Sequence, residues 1–286
     1  MPEQYRASLR LQMFSTSTFV LRVMPKYQKE KITLRLKRVK IVWPKFAGIV
    51  RYGIVMAFLG LLGISCDSDT VEKNVNYFPL RVGQTWLYDI EETNITRAAC
   101  TDNGTTTLSY QLLVEVMDSI VADQGFTYRF KRSKRTNAAD PWIDFETWTA
   151  QLIGNRIVVS ESNISYVKLL APITNDLVWN GNLYNNRQEL NGKNEDDYKS
   201  TLVNKPYVVE SSGLSFGHSV SVVQNDEQSN IIYRDSRLEV YADQVGLVYK
   251  ESYLLNYFAN SQLPCFAQKR TQQGVIYKQS LREFSK

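Results

Sequence analysis

The fold of this 286-residue chain is decided first by residues 85–91, which read Thr85-Trp86-Leu87-Tyr88-Asp89-Ile90-Glu91. Trp86, Tyr88 and Ile90 alternate along the chain with Leu87, Asp89 and Glu91. Alternation with a period of two predicts a β-strand, because successive side chains of a strand point to opposite faces of the sheet. The stretch therefore predicts a strand with one buried and largely aromatic face.

The same pattern recurs along the chain between groups of turn residues. Residues 107–117 and 126–131 flank a turn at 122–125, residues 145–153 and 156–161 flank Gly154-Asn155, and residues 218–223 and 231–241 flank a polar loop. Further turns are predicted at 243–246 and 271–274, and a long exposed loop at 185–205. Short strands at this spacing, without an amphipathic helix, predict a single all-β domain over residues 77–286. We expect an antiparallel meander that forms a curled sheet, an open barrel or a sandwich.

The N-terminal part of the chain has the order of a secretory signal. Basic residues between Lys37 and Arg51 precede the uncharged run GIVMAFLGLLGIS at 53–65. Thirteen helical residues rise about 20 Å, which is too short for a hydrocarbon core of roughly 30 Å. We expect residues 1–65 to be a leader that is removed, with 50–65 as the signal peptide and 1–49 ahead of the true translation start. An uncleaved membrane anchor is the alternative.

Cys66 directly follows the apolar run, after Gly63-Ile64-Ser65. The arrangement resembles a lipobox, at which signal peptidase II cleaves and the new terminal cysteine is acylated, although Gly63 stands where Leu is usual. Residues 66–76, which begin Cys66-Asp67-Ser68-Asp69, then predict a lipidated acidic tether. The membrane, reached through the lipid on Cys66, is the first expected partner. A chance cysteine after an ordinary signal peptide is the alternative.

The distribution of charge along the chain argues against nucleic acid, the partner that the net positive charge of the whole chain suggests. The chain has 34 Lys and Arg against 29 Asp and Glu, but 12 of the basic residues and only Glu3 and Glu30 among the acidic ones precede Met56. The rest of the chain carries 22 basic and 27 acidic residues, so the predicted domain is acidic. Because proteins bind nucleic acid through basic side chains that neutralise phosphates, we expect no nucleic-acid partner.

Three motifs of the predicted domain carry a resemblance to a known family. They are Tyr77-Phe78-Pro79-Leu80-Arg81-Val82-Gly83-Gln84-Thr85-Trp86-Leu87-Tyr88, Trp179-Asn180-Gly181-Asn182-Leu183-Tyr184-Asn185, and Glu239-Val240-Tyr241-Ala242 followed by Val245-Gly246-Leu247-Val248-Tyr249-Lys250-Glu251. Over most of the domain the chain resembles a family of uncharacterised Bacteroidota lipoproteins. The resemblance implies an all-β protein held in the cell envelope as an outer-membrane lipoprotein, and it implies no activity. In that phylum an acidic stretch after the lipidated cysteine resembles a surface-export signal, so Asp67 and Asp69 favour the cell surface over the periplasm.

Few residues of the chain suggest catalysis. His218 is the only histidine, and the chain lacks Gly-x-Ser-x-Gly, Walker and dinucleotide-binding glycine patterns. A catalytic cysteine needs a nearby histidine and a zinc site needs several Cys or His ligands, so we predict no catalytic residue, no metal site and no cofactor. With Cys66 lipidated, Cys100 and Cys265 are a candidate disulfide in an oxidising envelope, with two free thiols as the alternative.

Residues 140–148 read Asp140-Pro141-Trp142-Ile143-Asp144-Phe145-Glu146-Thr147-Trp148 and interleave carboxylates with indoles. Sugar-binding sites use both groups, and on a regular strand Asp144 and Glu146 share one face, roughly 6–7 Å apart. The segment therefore predicts a candidate ligand surface made of Trp142, Asp144, Glu146 and Trp148. The alternative is an ordinary strand with its acidic side chains in solvent.

These features together predict an envelope lipoprotein that binds a partner or serves as a structural accessory, without catalysis. The partners considered are a glycan, an apolar ligand on the concave face of the sheet, and an outer-membrane complex. The competing hypothesis is a surface hydrolase that acts on glycans through Asp140, Asp144 or Glu146.

Overall fold

The computed structural model describes residues 75–122, 125–186 and 196–285. The regular elements in this part of the chain are β-strands: β1 (Thr85–Thr96), β2 (Thr105–Ala122), β3 (Gly125–Arg135), β4 (Ile143–Ile153), β5 (Arg156–Glu161), β6 (Ile164–Leu170), β7 (Val178–Asn180), β8 (Asp197–Val208), β9 (Ser215–Glu227), β10 (Tyr233–Ala242), β11 (Gly246–Tyr257) and β12 (Thr271–Phe284). Among the described residues, no helix is long and apolar enough to cross a membrane. The predicted leader, Cys66 and all of the tether before Val75 lie outside the described residues.

The twelve described strands form one antiparallel sheet, in the order β6-β5-β4-β3-β2-β1-β12-β11-β10-β9-β8-β7. Pairing of β1 with β12 joins two meanders, so β6 and β7 are the edges of the sheet. The sheet curls until these edges meet. The backbone N–H of Val167 donates to the carbonyl of Gly181 at 2.8 Å, and Trp179 Nε1 donates to the carbonyl of Val167 at 2.8 Å. The all-β prediction is confirmed, and the sheet is an open barrel with one seam.

The alternating residues of β1 bury as their pattern predicts. Trp86, Tyr88 and Ile90 are at most 5 % exposed. They pack in one cluster whose other members include Leu112, Val116, Phe130, Val248 and Leu281. A second cluster packs β6 against β7, β8 and β9 at the seam. Its members include Val167, Leu169, Trp179, Tyr198 and Val222. Burial of a large apolar side chain contributes about 1.5–3 kcal/mol, so these clusters favour curling of the sheet.

The predicted turn at 271–274 is wrong, because β12 begins at Thr271 and the turn residues precede it, within 258–270. Gly274 lies inside β12, opposite Leu255. A Cβ atom at Gly274 would lie 2.3 Å from the carbonyl oxygen of Leu254. The glycine therefore allows the backbones of β11 and β12 to approach closely, and it does not form a turn.

The predicted exposed loop at 185–205 lies outside the described residues at 187–195, and it is wrong from Asp197 onward, where β8 begins. Tyr198 and Ser200 are buried there, while Lys199 between them is exposed. This is the period-two pattern of a strand, and the polar composition of the segment hid it.

The Cys100–Cys265 disulfide is present, with the two Cα atoms 5.8 Å apart. It joins the loop between β1 and β2 to the connection between β11 and β12. Two residues separated by 165 positions in sequence are thus linked where β1 and β12, the first and last described strands in sequence, are neighbours in the sheet.

Candidate functional site

An interior cavity of about 80 Å³ lies inside the curled sheet. Its apolar wall is mainly aromatic and includes Phe78, Trp86, Tyr88, Phe130 and Trp148. Charged side chains complete the lining: Arg132, Glu161, Lys168, Glu239 and Lys250. The cavity therefore has an apolar part and a strongly polar part, which is the composition of a site for a small amphiphilic molecule.

The aromatic wall is held in place by hydrogen bonds to the β10–β11 turn and the start of β11. Trp86 Nε1 donates to the carbonyl of Val245 at 2.7 Å, and the Tyr88 hydroxyl donates to the carbonyl of Leu247 at 2.9 Å. The ring centroids of Trp86 and Phe130 lie 6.2 Å apart in a tilted arrangement. Because their polar atoms have protein partners, Trp86 and Tyr88 present fixed ring surfaces to the cavity.

Four of the charged residues form a group that we call the charge quartet: Glu161, Lys168, Glu239 and Lys250. Lys168 Nζ lies 2.6 Å from Glu161 Oε1 and 2.9 Å from Glu239 Oε1. Lys250 Nζ lies 3.1 Å from Glu239 Oε1 and 3.6 Å from Glu161 Oε2. β5 and β6 are remote from β10 and β11 in the sheet order. The quartet therefore bridges the two halves of the sheet through the interior.

Burial and ion pairing act in opposite directions on the pKa values of the quartet. Burial alone would raise the pKa of Glu239, but Lys168 and Lys250 lower it well below its ordinary value, assisted by a 2.6 Å hydrogen bond from the Tyr241 hydroxyl. Burial alone would lower the pKa of Lys168, but Glu161 and Glu239 raise it. Both groups are therefore charged across the neutral pH range.

These shifts predict how stability depends on pH. The depressed pKa of Glu239 means that its contribution is complete above the ordinary value of 4.5 and is lost as the pH falls through the lower pKa of the folded state. The raised pKa of Lys168 means that its contribution is complete below 10.5 and is lost as the pH rises further. We expect a plateau in the free energy of unfolding between about pH 5 and pH 10, with a decline on both sides, measured by urea unfolding. Glu283 is an exposed carboxylate, so the control variant Glu283→Gln is expected to show the same loss of stability at acid pH. A free energy of unfolding that stays constant down to about pH 3 would contradict the prediction.

A second, more polar cavity of about 140 Å³ adjoins the quartet, because Glu161, Lys168 and Lys250 line it as well. Its other lining residues include Tyr166, Tyr198, Gln224 and Arg237. Within the described residues, the Nε2 atom of buried Gln224 has no hydrogen-bond partner. The quartet thus separates an aromatic cavity from a polar one.

Arg132 on β3 lies at the aromatic end of the interior cavity and is 7 % exposed. Its guanidinium pairs with Glu146 and stacks 3.7 Å above the ring of Trp148. Among the described residues, its Nε–H has no hydrogen-bond partner. A buried guanidinium N–H without an acceptor is costly, so an oxygen acceptor in the cavity would be stabilised there.

Two of the four residues of the candidate ligand surface, Glu146 and Trp148, come together on Arg132. Burial raises the pKa of Glu146, whereas contacts with Ser162, Trp148 and Arg132 outweigh burial and lower it. A general acid of a glycosidase needs a raised pKa, and Glu146 has the opposite shift.

Asp144 and Trp142 lie elsewhere. Asp144 accepts a hydrogen bond from Ser133 Oγ at 2.6 Å and pairs with Lys131 at 2.9 Å, while Trp142 lies under the guanidinium of Arg135. The pKa of Asp144 is lowered by these hydrogen bonds from Ser133 and Lys131.

A β-bulge separates Asp144 from Glu146. β4 pairs Glu146 with Arg132 and Asp144 with Ser133, which leaves Phe145 as an extra residue. Glu146 contacts the side chain of Arg132 and Asp144 that of Lys131, and consecutive side chains of β3 point to opposite faces. The expectation that Asp144 and Glu146 share one face is therefore wrong.

The remaining singled-out residues have local roles. Asp140 accepts hydrogen bonds from the backbone and side chain of Asn137, and half-buried His218 contacts Asn204 through Nδ1. In the described ranges, no group of three or more His, Cys, Asp or Glu side chains is placed to hold a metal ion.

The charge quartet escaped the sequence analysis. Its signal was a charged residue at a position whose neighbours two residues away are buried, such as Glu239 beside Tyr241, or Lys168 beside Tyr166. That pattern marks a charge that points into the interior of the sheet. The partner of each charge was not readable, because Lys168 and Glu239 are 71 residues apart.

A larger polar groove of about 1000 Å³ lies between residues 207–211 and 136–138. Tyr249, Glu251, Lys278 and Arg282 are among its lining residues. The groove has acidic and basic side chains but no enclosed aromatic wall, so the interior cavity is the better candidate for a specific small-ligand site.

Comparison with known proteins gives structural likeness only. No protein-family model and no curated protein matches this chain. A protein from Bacteroides fragilis, described as exported and as having a YmcC-like fold, matches with a TM-score of 0.38 and 12 % identity over 74 % of this chain and 100 % of that one. A protein from Parabacteroides distasonis, described as a lipoprotein, matches with a TM-score of 0.35 and 14 % identity over 74 % of this chain and 99 % of that one. Both TM-scores are below 0.5, so neither likeness assigns a function to this chain.

Proposed function

We propose that this chain is an envelope lipoprotein that binds a small amphiphilic ligand in the interior cavity and catalyses no reaction. One observation carries the binding part: an aromatic wall that includes Trp86, Phe130 and Trp148 meets the buried cation Arg132, whose Nε–H has no partner among the described residues. An apolar body fits the wall, and an oxygen acceptor on the ligand satisfies the free N–H.

The ligand class follows from the cationic donors that line the cavity. Arg132 and Lys250 both line the cavity, and both carry N–H groups that favour a carboxylate, sulfonate or phosphate oxygen. The carboxylates of the quartet are already paired with Lys168 and Lys250. We therefore expect an apolar molecule with an anionic head group rather than a cation.

Binding without catalysis is supported by the state of the interior carboxylates. The pKa values of Glu146 and Glu239 are lowered, so these groups are ionised and engaged with cations rather than poised to transfer protons. The hydrolase alternative needs a pair of carboxylates facing one site, and the bulge in β4 places Asp144 and Glu146 with different partners.

The ligand proposal is tested with butyrate, an anion with a short apolar chain that suits a cavity of about 80 Å³, and binding is measured by isothermal titration calorimetry. We expect binding to the folded protein, and we expect Arg132→Met to weaken it by about tenfold to a hundredfold, the effect of one charge-assisted hydrogen bond. Arg129→Met is the matched control, because Arg129 is on the same strand and pairs with a carboxylate, Asp118, but does not line the cavity.

A second variant separates loss of binding from loss of folding. Val159→Phe fills the cavity and leaves its charges in place, so it is expected to abolish binding of butyrate. Circular dichroism confirms that each variant retains its β structure. Equal binding of butyrate by the wild-type protein, Arg132→Met and Val159→Phe would show that butyrate binds elsewhere and would overturn the proposed site.

The anchor part of the proposal rests on the uncharged run 53–65 followed by Cys66. Two acyl chains on Cys66 give stable anchoring, whereas one chain gives only marginal binding. We propose the outer membrane as the location, with the membrane itself as the first partner. The acidic residues Asp67 and Asp69 support a position on the cell surface.

The intact mass of the protein extracted from its native membrane tests the anchor. We expect a chain that begins at Cys66 and carries acyl groups. A mass that includes residues before Cys66 would overturn the lipoprotein proposal, and an unacylated chain beginning elsewhere would do the same.

A further inference from the structure

The cavity of about 140 Å³ that adjoins the charge quartet has no part in the proposed function. We call it the polar cavity. The charged residues that line both cavities lie between them. The polar cavity also has lining residues that the interior cavity lacks, and these include Tyr198, Gln224, Ser252 and Leu254. A molecule in the polar cavity therefore meets a set of groups of its own.

The local structure of β9 places Gln224 in the polar cavity. Val220 and Val222 are fully buried, so they mark the interior face of the strand, and Gln224 continues that series with a period of two. The ladder between β9 and β10 passes from Val223 directly to Asn225, so Gln224 is the extra residue of a β-bulge. Bulges commonly re-aim a side chain next to a functional site.

The polar cavity has more hydrogen-bond donors than its own residues satisfy. Gln224 is 5 % exposed, and its Nε2 has no hydrogen-bond partner in the described ranges, which is costly for a buried amide. The ammonium group of Lys168 has three N–H donors for its two carboxylate contacts, with Glu161 and Glu239. Burial raises the pKa of Tyr198, so its hydroxyl stays protonated and can donate as well. A ligand with several acceptor oxygens would satisfy these donors.

The ion pairs around the polar cavity favour a ligand without charge. Arg237, which lines the cavity, lies 2.7 Å from Asp196 and 2.6 Å from Asp235. Each lysine of the quartet is likewise paired with carboxylates. A charged ligand would enter without a counter-ion of its own and would lose its hydration, so the hydroxyl groups of a neutral molecule suit the cavity better.

The volume of the polar cavity sets the size of the ligand. Liquid water occupies about 30 Å³ per molecule, so the cavity corresponds to about four or five waters. A chain of four carbon atoms, each with a hydroxyl group, matches this volume and replaces the hydrogen bonds of the waters within one molecule. Release of several ordered waters then favours binding through their entropy.

We propose that the polar cavity is a second ligand site, which binds a small neutral polyol through Gln224, Tyr198 and the remaining N–H of Lys168. The side chain of Leu254 and the ring of Tyr166 line the same cavity and offer apolar surface to the C–H groups of the polyol. The site depends neither on the lipid on the N-terminal cysteine nor on an anion in the interior cavity.

Saturation-transfer difference NMR with meso-erythritol, a neutral polyol of four carbons, tests the site in the full chain. The protein is kept in lauryldimethylamine oxide, a detergent without hydroxyl groups. We expect saturable transfer to erythritol, and we expect Gln224→Leu to weaken binding by at least about tenfold, because the ligand loses a buried hydrogen bond. Gln151→Leu is the matched control, since Gln151 donates to Thr127 on the neighbouring strand and does not line the cavity.

Urea unfolding of the same variants separates a binding role of Gln224 from a structural one. Gln224→Leu removes a buried donor that has no protein acceptor, so its urea midpoint is expected to be no lower than that of the wild-type protein. Ser252→Leu is a second variant, which fills the cavity from β11 and is expected to abolish erythritol binding.

Three outcomes would overturn the polyol site. Absence of transfer to erythritol in the wild-type protein would mean that the cavity holds water only. Unchanged affinity in both Gln224→Leu and Ser252→Leu would mean that erythritol binds elsewhere. Equal binding of 1-butanol, which has the same number of carbons and one hydroxyl group, would mean that the hydroxyl groups are not recognised.

Exchange of variants and ligands distinguishes this site from the interior cavity. Arg132 does not line the polar cavity and Gln224 does not line the interior one, so Arg132→Met should bind erythritol normally and Gln224→Leu should bind butyrate normally. Loss of erythritol binding in Arg132→Met would place the polyol in the interior cavity and overturn this inference. Failure of butyrate to bind, with erythritol binding lost in Gln224→Leu, would overturn the proposed anionic ligand and support the polyol site.

Discussion

Lys168→Met is expected to lower the free energy of unfolding by about 3–5 kcal/mol, one of the two largest effects among the variants considered. The substitution removes the cation that lies 2.6 Å from Glu161 and 2.9 Å from Glu239. Glu239 is 1 % exposed, so its charge is left in the interior with Lys250 as its only remaining cationic partner within 4 Å among the described residues. Urea unfolding followed by circular dichroism measures the loss.

Removal of both partners is expected to cost much less than removal of one. Lys168→Met combined with Glu239→Gln leaves one carboxylate, Glu161, with one ammonium group, Lys250, and recovers most of the lost stability. Lys199→Met is the matched control, because its ion pair with Asp176 is largely exposed and contributes about 0–1 kcal/mol. A loss for Lys168→Met no greater than that for Lys199→Met would show that the quartet does not stabilise the interior.

Loss of the Cys100–Cys265 disulfide is expected to lower the free energy of unfolding by about 2–4 kcal/mol. The bond links residues 165 positions apart, and a cross-link that closes a long loop restricts the unfolded chain most. Cys100→Ala with Cys265→Ala is compared with the wild-type protein in urea, with and without reductant. The double variant is the control for reductant, since its unfolding curve should not respond to it.

The disulfide experiment also bears on the compartment. Disulfides persist in oxidising compartments, so a native protein whose Cys100 and Cys265 are alkylated only after reduction supports the envelope location. Equal stability of the oxidised, reduced and double-variant proteins would contradict the expected contribution of the bond.

The charge quartet has a consequence for ligand binding. It links β5 and β6 to β10 and β11, and among the described strands no backbone ladder joins these two pairs. A ligand in the interior cavity touches both the aromatic wall and the charge quartet. Binding is therefore expected to raise the free energy of unfolding in urea in proportion to the logarithm of ligand concentration. The stability of the sheet and the occupancy of the cavity are therefore linked.

The strands and most hairpins were predictable from the sequence because their signals are local. The alternation of Trp86, Tyr88 and Ile90 identified β1, and Gly154-Asn155 identified the β4–β5 turn. The disulfide was predictable as a candidate by counting cysteines, once Cys66 was assigned to the lipid. The prediction at 271–274 was wrong because Gly274, a residue typical of turns, lies where β11 and β12 approach closely. The prediction for β8 was wrong because its polar residues, which are typical of loops, form a strand.

The interior site was not predictable, because its residues meet only after the sheet closes. Lys168 and Glu239 lie on strands that are remote in sequence and in sheet order, and curling brings them within 2.9 Å. The extra residue in β4 likewise depends on how β3 and β4 pair, and it separates Asp144 from Glu146.

The sequence by itself thus determined the β class, the positions of most strands and the candidate pair of cysteines, since each depends on neighbours in the chain or on composition. Only the tertiary structure decided the register, the seam, the charge quartet and the interior cavity. Those features depend on which strands become neighbours, and this is set by the free energy of burying the aromatic faces together with the pairing of buried charges.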